Sequence, residues 1–413
     1  MEDSIKKITA IEILSGIGRP TVEVELVTAK GITVQASVPS GTSRGRYEAS
    51  EIFDREPRFH GAGVRKVVEK LNTVLAPVLI GKPVTEQFAI DQFMNQLDGT
   101  ENKSNLGGNA ILAVSLAVAR AGAATLGLPL YRYLGGLGAT RLPYPLATVL
   151  AGGKHSPSEL DFEDYMLVLN GFDCFSESLD ALAETHYQLG EILRQKFGTV
   201  PDVGGAYAPP LRNNYQGLDL LMEAIERSGY GGKIQLGLDI AGSELFNSQK
   251  GCYSIGGKEM ASDELVEFYL KLVSEYPLVF IEDPFDQDDF ESFAKLTSQL
   301  PDRQIVGDDL FATNPARLMR GIIEGAGNSL LLKVNQIGTL SEAIEAGKMA
   351  LGNHYSVAVS LRSSDTTDSF IADLAVALGV QQIKLGSPVR GERNAKYNRL
   401  LRIEQELGAQ ARI

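Results

Sequence analysis

The C-terminal two thirds of this sequence repeat one pattern, a short apolar run that ends in polar residues and is followed by a helical segment. From Glu282 onward the run-end positions Asp308, Lys333, Leu361 and Lys384 recur roughly every 25 residues, about the length of one strand and one helix. The pattern predicts an α/β fold whose parallel strands close into a TIM-like (β/α)8 barrel. An open doubly wound sheet is the weaker alternative, because no glycine-rich nucleotide motif follows a first strand.

The first third of the chain follows a different pattern. Ile8–Glu25 and Ile32–Ser37 alternate as strands do, and Val64–Leu75 and Ala110–Leu126 show helical apolar spacing, which indicates an α+β domain. Glycine and proline interrupt the pattern at Gly135–Pro145, the best candidate linker. We therefore expect an N-terminal α+β domain at 1–135 and the barrel at 140–413.

Charge and composition exclude several classes of function. A formal net charge of -13 over 413 residues opposes nonspecific binding of nucleic acid. The opening MEDSIKKITA has no apolar core, and the run Ala110–Ala119 is too short to span a membrane and is interrupted by Ser115. Cys174 and Cys252 lack a metal-type spacing, which argues against zinc. The sequence predicts a cytoplasmic protein that binds neither membrane nor nucleic acid.

Three carboxylates end three consecutive apolar runs: Asp239, Glu282 and Asp308. The carboxyl ends of barrel strands share one mouth, so we expect the three side chains to converge there. A divalent cation would relieve their repulsion, and oxygen ligands without nearby histidine or cysteine favour Mg²⁺ over zinc. The sequence therefore predicts a magnesium site at the barrel mouth.

Two lysines lie in the next such runs. Lys333 lies in the apolar SLLLKVNQ, and Lys384 lies in QQIKLGSP. A buried ammonium is costly unless neighbours or function justify it. Near a dication each lysine would lower the pKa of the other, so one is expected to be neutral near pH 7 and to act as a base.

Longer motifs carry a family resemblance. They are PSG-x-S at Pro39–Ser43, DGTENKS at Asp98–Ser104, GNAILAVSLA at Gly108–Ala117, IEDPF at Ile281–Phe285, GDDLF-x-TN at Gly307–Asn314, K-x-NQIG at Lys333–Gly338 and AKYN-x-L-x-RIE at Ala395–Glu404. Through them the chain resembles the enolase family of glycolytic phosphopyruvate hydratases along nearly its whole length. The resemblance implies a barrel of enolase type with an irregular first repeat, capped by the N-terminal domain.

The resemblance also implies roles for metal and base. Asp239, Glu282 and Asp308 would bind the tighter of two Mg²⁺ ions, and Ser43 on a mobile lid loop would meet a second, substrate-associated ion. Lys333 would remove the proton from C2 of the substrate.

Substrate-binding roles follow from the same resemblance. Lys384 would hold the carboxylate of a small phosphorylated substrate, and His155, Arg362 and Ser363 would hold its phosphate. A homodimer or an assembly of dimers is the implied oligomeric state.

The chain departs from the family at active-site motifs. Val203 stands where the family has the glutamate that helps to expel hydroxide, and Leu361 replaces a histidine. Arg44 replaces the lid threonine, and Ile17 replaces an arginine. Arg44 would suit an additional anion, and a solvent-exposed loop arginine is an equally good interpretation.

A Gln-Glu pair of the family appears here as Glu163-Asp164, which we assign to substrate binding and to acid catalysis respectively. Asp202 is the other candidate acid. An aspartate is one methylene shorter than a glutamate, and loss of a general acid costs ~10²–10⁴-fold in rate.

Four functions remain open at this point. The favoured one is an altered Mg²⁺-dependent lyase that forms a metal-stabilised enolate from a phosphorylated or phosphonate-bearing carboxylate like 2-phosphoglycerate, with a weakened hydratase step. The alternatives are a true phosphopyruvate hydratase, an enzyme similar to carboxyphosphonoenolpyruvate synthase of phosphonate biosynthesis, and a non-catalytic scaffold. Three retained carboxylates and two lysines argue against the scaffold, because an isolated buried charge cluster is costly.

Overall fold

A closed eight-stranded barrel forms the larger part of the protein. The computed structural model describes residues 3–41 and 44–413, apart from the side chain of His155. The eight strands are Tyr144–Ala151, Asp164–Val168, Gln235–Asp239, Leu278–Glu282, Gln304–Gly307, Ser329–Leu332, Ser356–Ser360 and Gln382–Lys384. Each strand pairs with its neighbour in sequence, and the eighth pairs with the first, which closes the barrel. The predicted α/β barrel is confirmed.

The second barrel strand runs against its neighbours. Asp164–Val168 is antiparallel to the first and the third strand, and Asp164 is in register with Asp239. All other neighbouring barrel strands are parallel. The amino end of the second strand therefore faces the mouth at which the other strands end.

Large apolar side chains fill the barrel interior, as close packing of an enclosed sheet requires. The buried interior cluster comprises Leu146, Met166, Val168, Phe280, Val306, Leu331 and Ala358. The barrel is thus a solid core, and ligands can reach only its rim.

Helices cover the outside of the barrel. The longer ones are Phe175–Phe197, Asn214–Ser228, Ser262–Glu275, Phe290–Gln299, Pro315–Glu324, Leu340–Gly352, Phe370–Leu378 and Gly391–Leu407. Short helical turns, Gly242–Leu245 and Val334–Ile337, follow the third and sixth strands directly at the mouth.

The N-terminal part contains a three-stranded antiparallel sheet, with strands Ile5–Leu14, Pro20–Thr28 and Thr33–Ser37. Helices pack beside it, at Arg65–Lys70, Leu71–Leu75, Ala76–Leu79, Gln87–Asp98, Gly108–Thr125 and Leu130–Gly135. The helix Gly108–Thr125 is long and apolar enough to cross a membrane, but 83% of its 18-residue window is buried inside the protein, as in the core helix of a globular domain.

Local boundaries differ from the sequence-based expectations. The predicted strand Ile8–Glu25 is two strands, because a turn at Ser15–Arg19 reverses the chain. The helix Gln87–Asp98 and the first barrel strand, Tyr144–Ala151, were not predicted. That strand is buried almost throughout, so its sequence does not alternate between polar and apolar residues, and it begins inside the expected linker.

Candidate active site

A cavity of about 350 Å³ opens at the barrel mouth, a size suited to a small metabolite. Most of the predicted site residues line it, namely Arg44, Glu163, Asp164, Asp239, Asp308, Lys333, Arg362, Ser363 and Lys384. Glu282 lies beneath them, fully buried. Ser43 and the side chain of His155 lie outside the described part of the chain, so their predicted roles stay predictions.

Lys384 lies among three carboxylates. Its Nζ is 2.9 Å from Asp239 Oδ2, 2.7 Å from Glu282 Oε2 and 3.2 Å from Asp164 Oδ2. Burial acts to lower the pKa of Lys384, but the three carboxylates outweigh it and hold that pKa well above its ordinary value. In the metal-free protein this ammonium supplies the positive charge that the carboxylates require.

Lys333 forms the second ion pair of the mouth. It follows the sixth strand, and its Nζ donates to Asp308 Oδ2, while Gln336 Nε2 donates to Asp308 Oδ1 at 2.7 Å. Burial acts to lower the pKa of Lys333, but the carboxylate of Asp308 outweighs burial, so this pKa lies above its ordinary value. From the sequence we expected one of the two lysines to have a lowered pKa beside a dication, and the pair with Asp308 acts in the opposite direction.

The carboxylates fit a hard divalent cation. Glu282 Oε1 is buried and has no hydrogen-bond partner among the described residues, although a buried carboxylate oxygen normally has one. Burial and the charge of Asp239 raise the pKa of Glu282 well above its ordinary value, so the folded chain by itself does not favour the ionised carboxylate. A divalent cation placed between these oxygens would favour that ionised form.

A second set of carboxylate oxygens lies close enough to share a metal. One oxygen each of Asp283, Asp308 and Asp309 lies within 4.8 Å of the others. Asp283 also accepts hydrogen bonds from the backbone N–H groups of Asp308 and Asp309, at 3.0 and 2.7 Å. Asp308 therefore belongs both to this set and to the predicted triad, which makes it the central candidate ligand.

The predicted phosphate ligand Arg362 is held by an acid from the N-terminal part. Its guanidinium donates to both oxygens of Glu48, at 2.8 and 3.2 Å, and both side chains are buried. Arg44 pairs with Glu51 at 2.8 Å and lies over the ring of Phe53. Both arginines are therefore oriented towards the cavity before a ligand arrives.

The reversed second strand brings Glu163 and Asp164 to the cavity wall. Asp164 accepts from the hydroxyl of Thr148 at 3.0 Å. Burial, with the charges of Asp239 and Asp164, raises the pKa of Glu163 from 4.5 to about 8, so it carries a proton at neutral pH. Asp202, the other candidate acid, instead pairs with Arg390 at the surface and does not line the cavity.

The raised pKa of Glu163 predicts a pH dependence of stability. Between about pH 4.5 and 8 the folded, metal-free protein holds a proton that the unfolded chain has lost, so unfolding becomes easier as the pH rises through this interval. The slope is at most about 1.4 kcal/mol per pH unit and levels off above pH 8. Glu163→Gln should remove that slope in urea unfolding measured with a chelator. Equal slopes in both proteins would contradict the assignment.

Sequence reasoning missed four residues at the mouth. Asp309, whose pKa burial and Asp308 raise to about 7, lines the cavity, and the doubled aspartate of GDDLF was the available signal. No sequence motif points to the other three, which are Glu48, Gln336 and Arg393. Each takes part in the site through contacts with segments that are distant in the chain.

Comparisons with known proteins agree with this geometry. The model of a family described as "Enolase, N-terminal domain" matches residues 5–134, and that of "Enolase, C-terminal TIM barrel domain" matches residues 139–413. The chain is 54% identical to a Methanopyrus kandleri protein named "Enolase", over 98% of this chain and 97% of the relative. It is 53% identical to one from Pyrococcus furiosus (97% and 94%) and 50% identical to one from Methanocaldococcus jannaschii (98% and 96%), both also named "Enolase".

Proposed function

Because this chain belongs to the enolase family, we propose that it is a phosphopyruvate hydratase, a Mg²⁺-dependent lyase that removes water from 2-phosphoglycerate to give phosphoenolpyruvate. One observation carries the proposal. A single cavity brings together a carboxylate cluster, the two lysines and an acid on the wall.

The protein residues divide the reaction between them. Lys333 takes the C2 proton, Lys384 binds the substrate carboxylate, and Asp164 supplies a proton to the departing hydroxyl group. Loss of the C2 proton adds a second negative charge beside an ionised carboxylate, so the barrier depends on nearby positive charge. Lys384 provides part of that charge at the carboxyl end of the substrate.

Asp239, Glu282 and Asp308 would hold the tighter Mg²⁺, and Ser43 would contact a second one. Mg²⁺ bound there would stabilise the negative charge that develops on the substrate carboxylate. Asp239 and Glu282 also pair with Lys384, at 2.9 and 2.7 Å, so the ammonium would share their negative charge with the cation.

Phosphate recognition is assigned to a separate set of residues. Arg362, Ser363 and His155 would hold the substrate phosphate, with Arg44 and Glu163 as further contacts. A cytoplasmic location suits an enzyme of a soluble metabolite, and a homodimer or an assembly of dimers is the proposed oligomeric state.

Relatives that are about half identical and named "Enolase" favour the ordinary hydratase over the altered enzyme that the substitutions at Val203 and Leu361 first suggested. The test is the appearance of enolpyruvate absorbance from 2-phosphoglycerate with Mg²⁺. Steady turnover supports the hydratase. Exchange of the C2 proton without net conversion would instead identify the altered enzyme.

Asp164→Asn should lower net water loss by roughly 10²–10⁴-fold, because it removes the proposed proton donor while it keeps the size of the side chain. Exchange of the C2 proton with deuterium should persist, since Lys333 is intact. Asp202→Asn is the matched control and should behave like the parent, because Asp202 pairs with Arg390 at the surface. If Asp164→Asn retains parental turnover, the acid lies elsewhere.

A further inference from the structure

Arg393 differs from the other buried cations of this protein. Among the residues that the structure describes, five lysines or arginines are buried, and four of them form ion pairs with carboxylates: Lys103, Arg362, Lys384 and Lys396. Arg393, which is 9% exposed, forms no ion pair with any carboxylate in the described part of the chain. A buried guanidinium without an anion is costly, so a missing partner is expected.

The hydrogen-bonding capacity of Arg393 is also largely unused. Its Nη1 donates to the carbonyl oxygen of Leu385 at 3.1 Å. Its Nε is buried and has no partner among the described residues. A guanidinium carries five N–H donors in a planar fork that matches the oxygens of carboxylate and phosphate groups.

Two glycines leave space for this guanidinium beside the cavity. A β-carbon on Gly386 would collide with Nη1, and one on Gly204 would lie 2.7 Å from Nη2. Both glycines line the cavity, and their φ values of 71° and 60° suit glycine. Gly204 and Gly205 form the turn of a hairpin in which Val203 pairs with Ala206. Arg393 thus lines the cavity at a place where its two neighbours have no side chains.

Apolar side chains contribute to the same cavity. Ile17, Val203 and Leu361 line it together with charged residues, and none of the three offers an anion to Arg393. A charge-assisted hydrogen bond to an oxyanion is stronger where the guanidinium is buried, as that of Arg393 is. Lys384 and Lys333 already have carboxylate partners, so the unmet positive charge lies at Arg393.

We propose that Arg393 forms a second anion subsite in the cavity, which binds a carboxylate or phosphate-type oxyanion in addition to the groups that Lys384 and Arg362 hold. The proposed substrate has only two anionic groups, which are assigned to Lys384 and Arg362, so the anion of this subsite belongs to a separate small ligand. The subsite is independent of the proposed dehydration, because it is defined by binding and not by turnover.

Calorimetric titration with inorganic phosphate, in the presence of Mg²⁺, tests the proposal on the full chain. Arg393→Gln should weaken phosphate binding by about tenfold to a hundredfold, the effect of one charge-assisted pair. Arg402→Gln, which removes an exposed arginine from the same helix, is the matched control and should bind as the parent does. Thermal unfolding of each variant checks its fold, and phosphate should stabilise the parent more than Arg393→Gln.

A second variant covers the case in which Arg393→Gln does not fold. Arg393→Lys keeps the charge but loses the planar fork, and it should bind phosphate with intermediate affinity. Phosphate affinity equal to that of the parent in whichever of these variants folds would overturn the proposal.

Repeating the titration with an equilibrium mixture of 2-phosphoglycerate and phosphoenolpyruvate separates this subsite from the proposed substrate site. Phosphate that still binds to the parent, and binds more weakly to Arg393→Gln, supports a subsite for a separate small ligand. If the mixture displaces phosphate from the parent, the phosphate was bound where the substrate binds, and the proposal fails.

Discussion

Lys333→Ala is expected to lower exchange of the C2 proton of 2-phosphoglycerate with solvent deuterium by roughly 10²–10⁴-fold, even at saturating Mg²⁺. Lys333 lines the cavity at the end of the sixth strand, and its side chain is 13% exposed, so it can reach a bound substrate. Among the described side chains, Lys384 is the one other lysine that lines the cavity, and no histidine does. Lys384 is paired with three carboxylates, which leaves Lys333 as the better base.

The ion pair of Lys333 with Asp308 sharpens this expectation. The carboxylate of Asp308 raises the pKa of Lys333 and so favours the protonated lysine, which cannot accept a proton. We therefore expect exchange to require Mg²⁺, because a cation held by Asp308 would weaken the hold of this carboxylate on the ammonium.

NMR of the substrate in deuterium oxide measures this exchange separately from net conversion. Lys348→Ala, which removes an exposed lysine from the helix Leu340–Gly352, is the control and should exchange at the parental rate. Parental exchange in Lys333→Ala would show that another group takes the proton.

Asp308→Asn should weaken Mg²⁺ binding by at least about tenfold to a hundredfold, since substitutions in the outer shell of a metal site already cost that much. One carboxylate oxygen of Asp308 accepts a hydrogen bond from Lys333, and the other accepts one from Gln336. Asp308 is also the carboxylate that belongs to both candidate ligand sets. Asparagine keeps the shape of the side chain and removes one negative charge, so the fold should survive.

Calorimetric titration with Mg²⁺, together with thermal unfolding of the metal-free proteins, checks both parts of this prediction. Asp302→Asn is the matched control, because Asp302 is exposed just before the fifth strand, at the opposite end of the barrel. An unchanged Mg²⁺ affinity in Asp308→Asn would remove Asp308 from the ligand set.

The sequence by itself determined the barrel and most of its rim. Asp239, Glu282 and Lys384 end their strands, and Asp308 and Lys333 follow theirs directly, as the repeat predicted. The prediction of these residues succeeds because the length of a strand and the polar residue at its end can be read from the local sequence. The closure of parallel strands into a barrel then brings those strand ends together.

The tertiary structure decided what depends on strand direction and on distant contacts. Glu163 and Asp164 reach the mouth because the second strand is reversed, and a short apolar run reads the same in either direction. Asp202, equally plausible as an acid by sequence, is directed to the surface by its hairpin and its pair with Arg390.

Charge balance is likewise a property of the assembled mouth. The raised pKa of Lys333, which sequence reasoning expected to be lowered, follows from a carboxylate 25 positions away in the chain. The buried pair of Glu48 with Arg362 joins segments 314 positions apart. Electrostatic energies depend on distance and burial in space, which a run of residue types does not specify. Only the folded chain therefore shows that the buried Arg393 has no carboxylate partner among the residues that the structure describes.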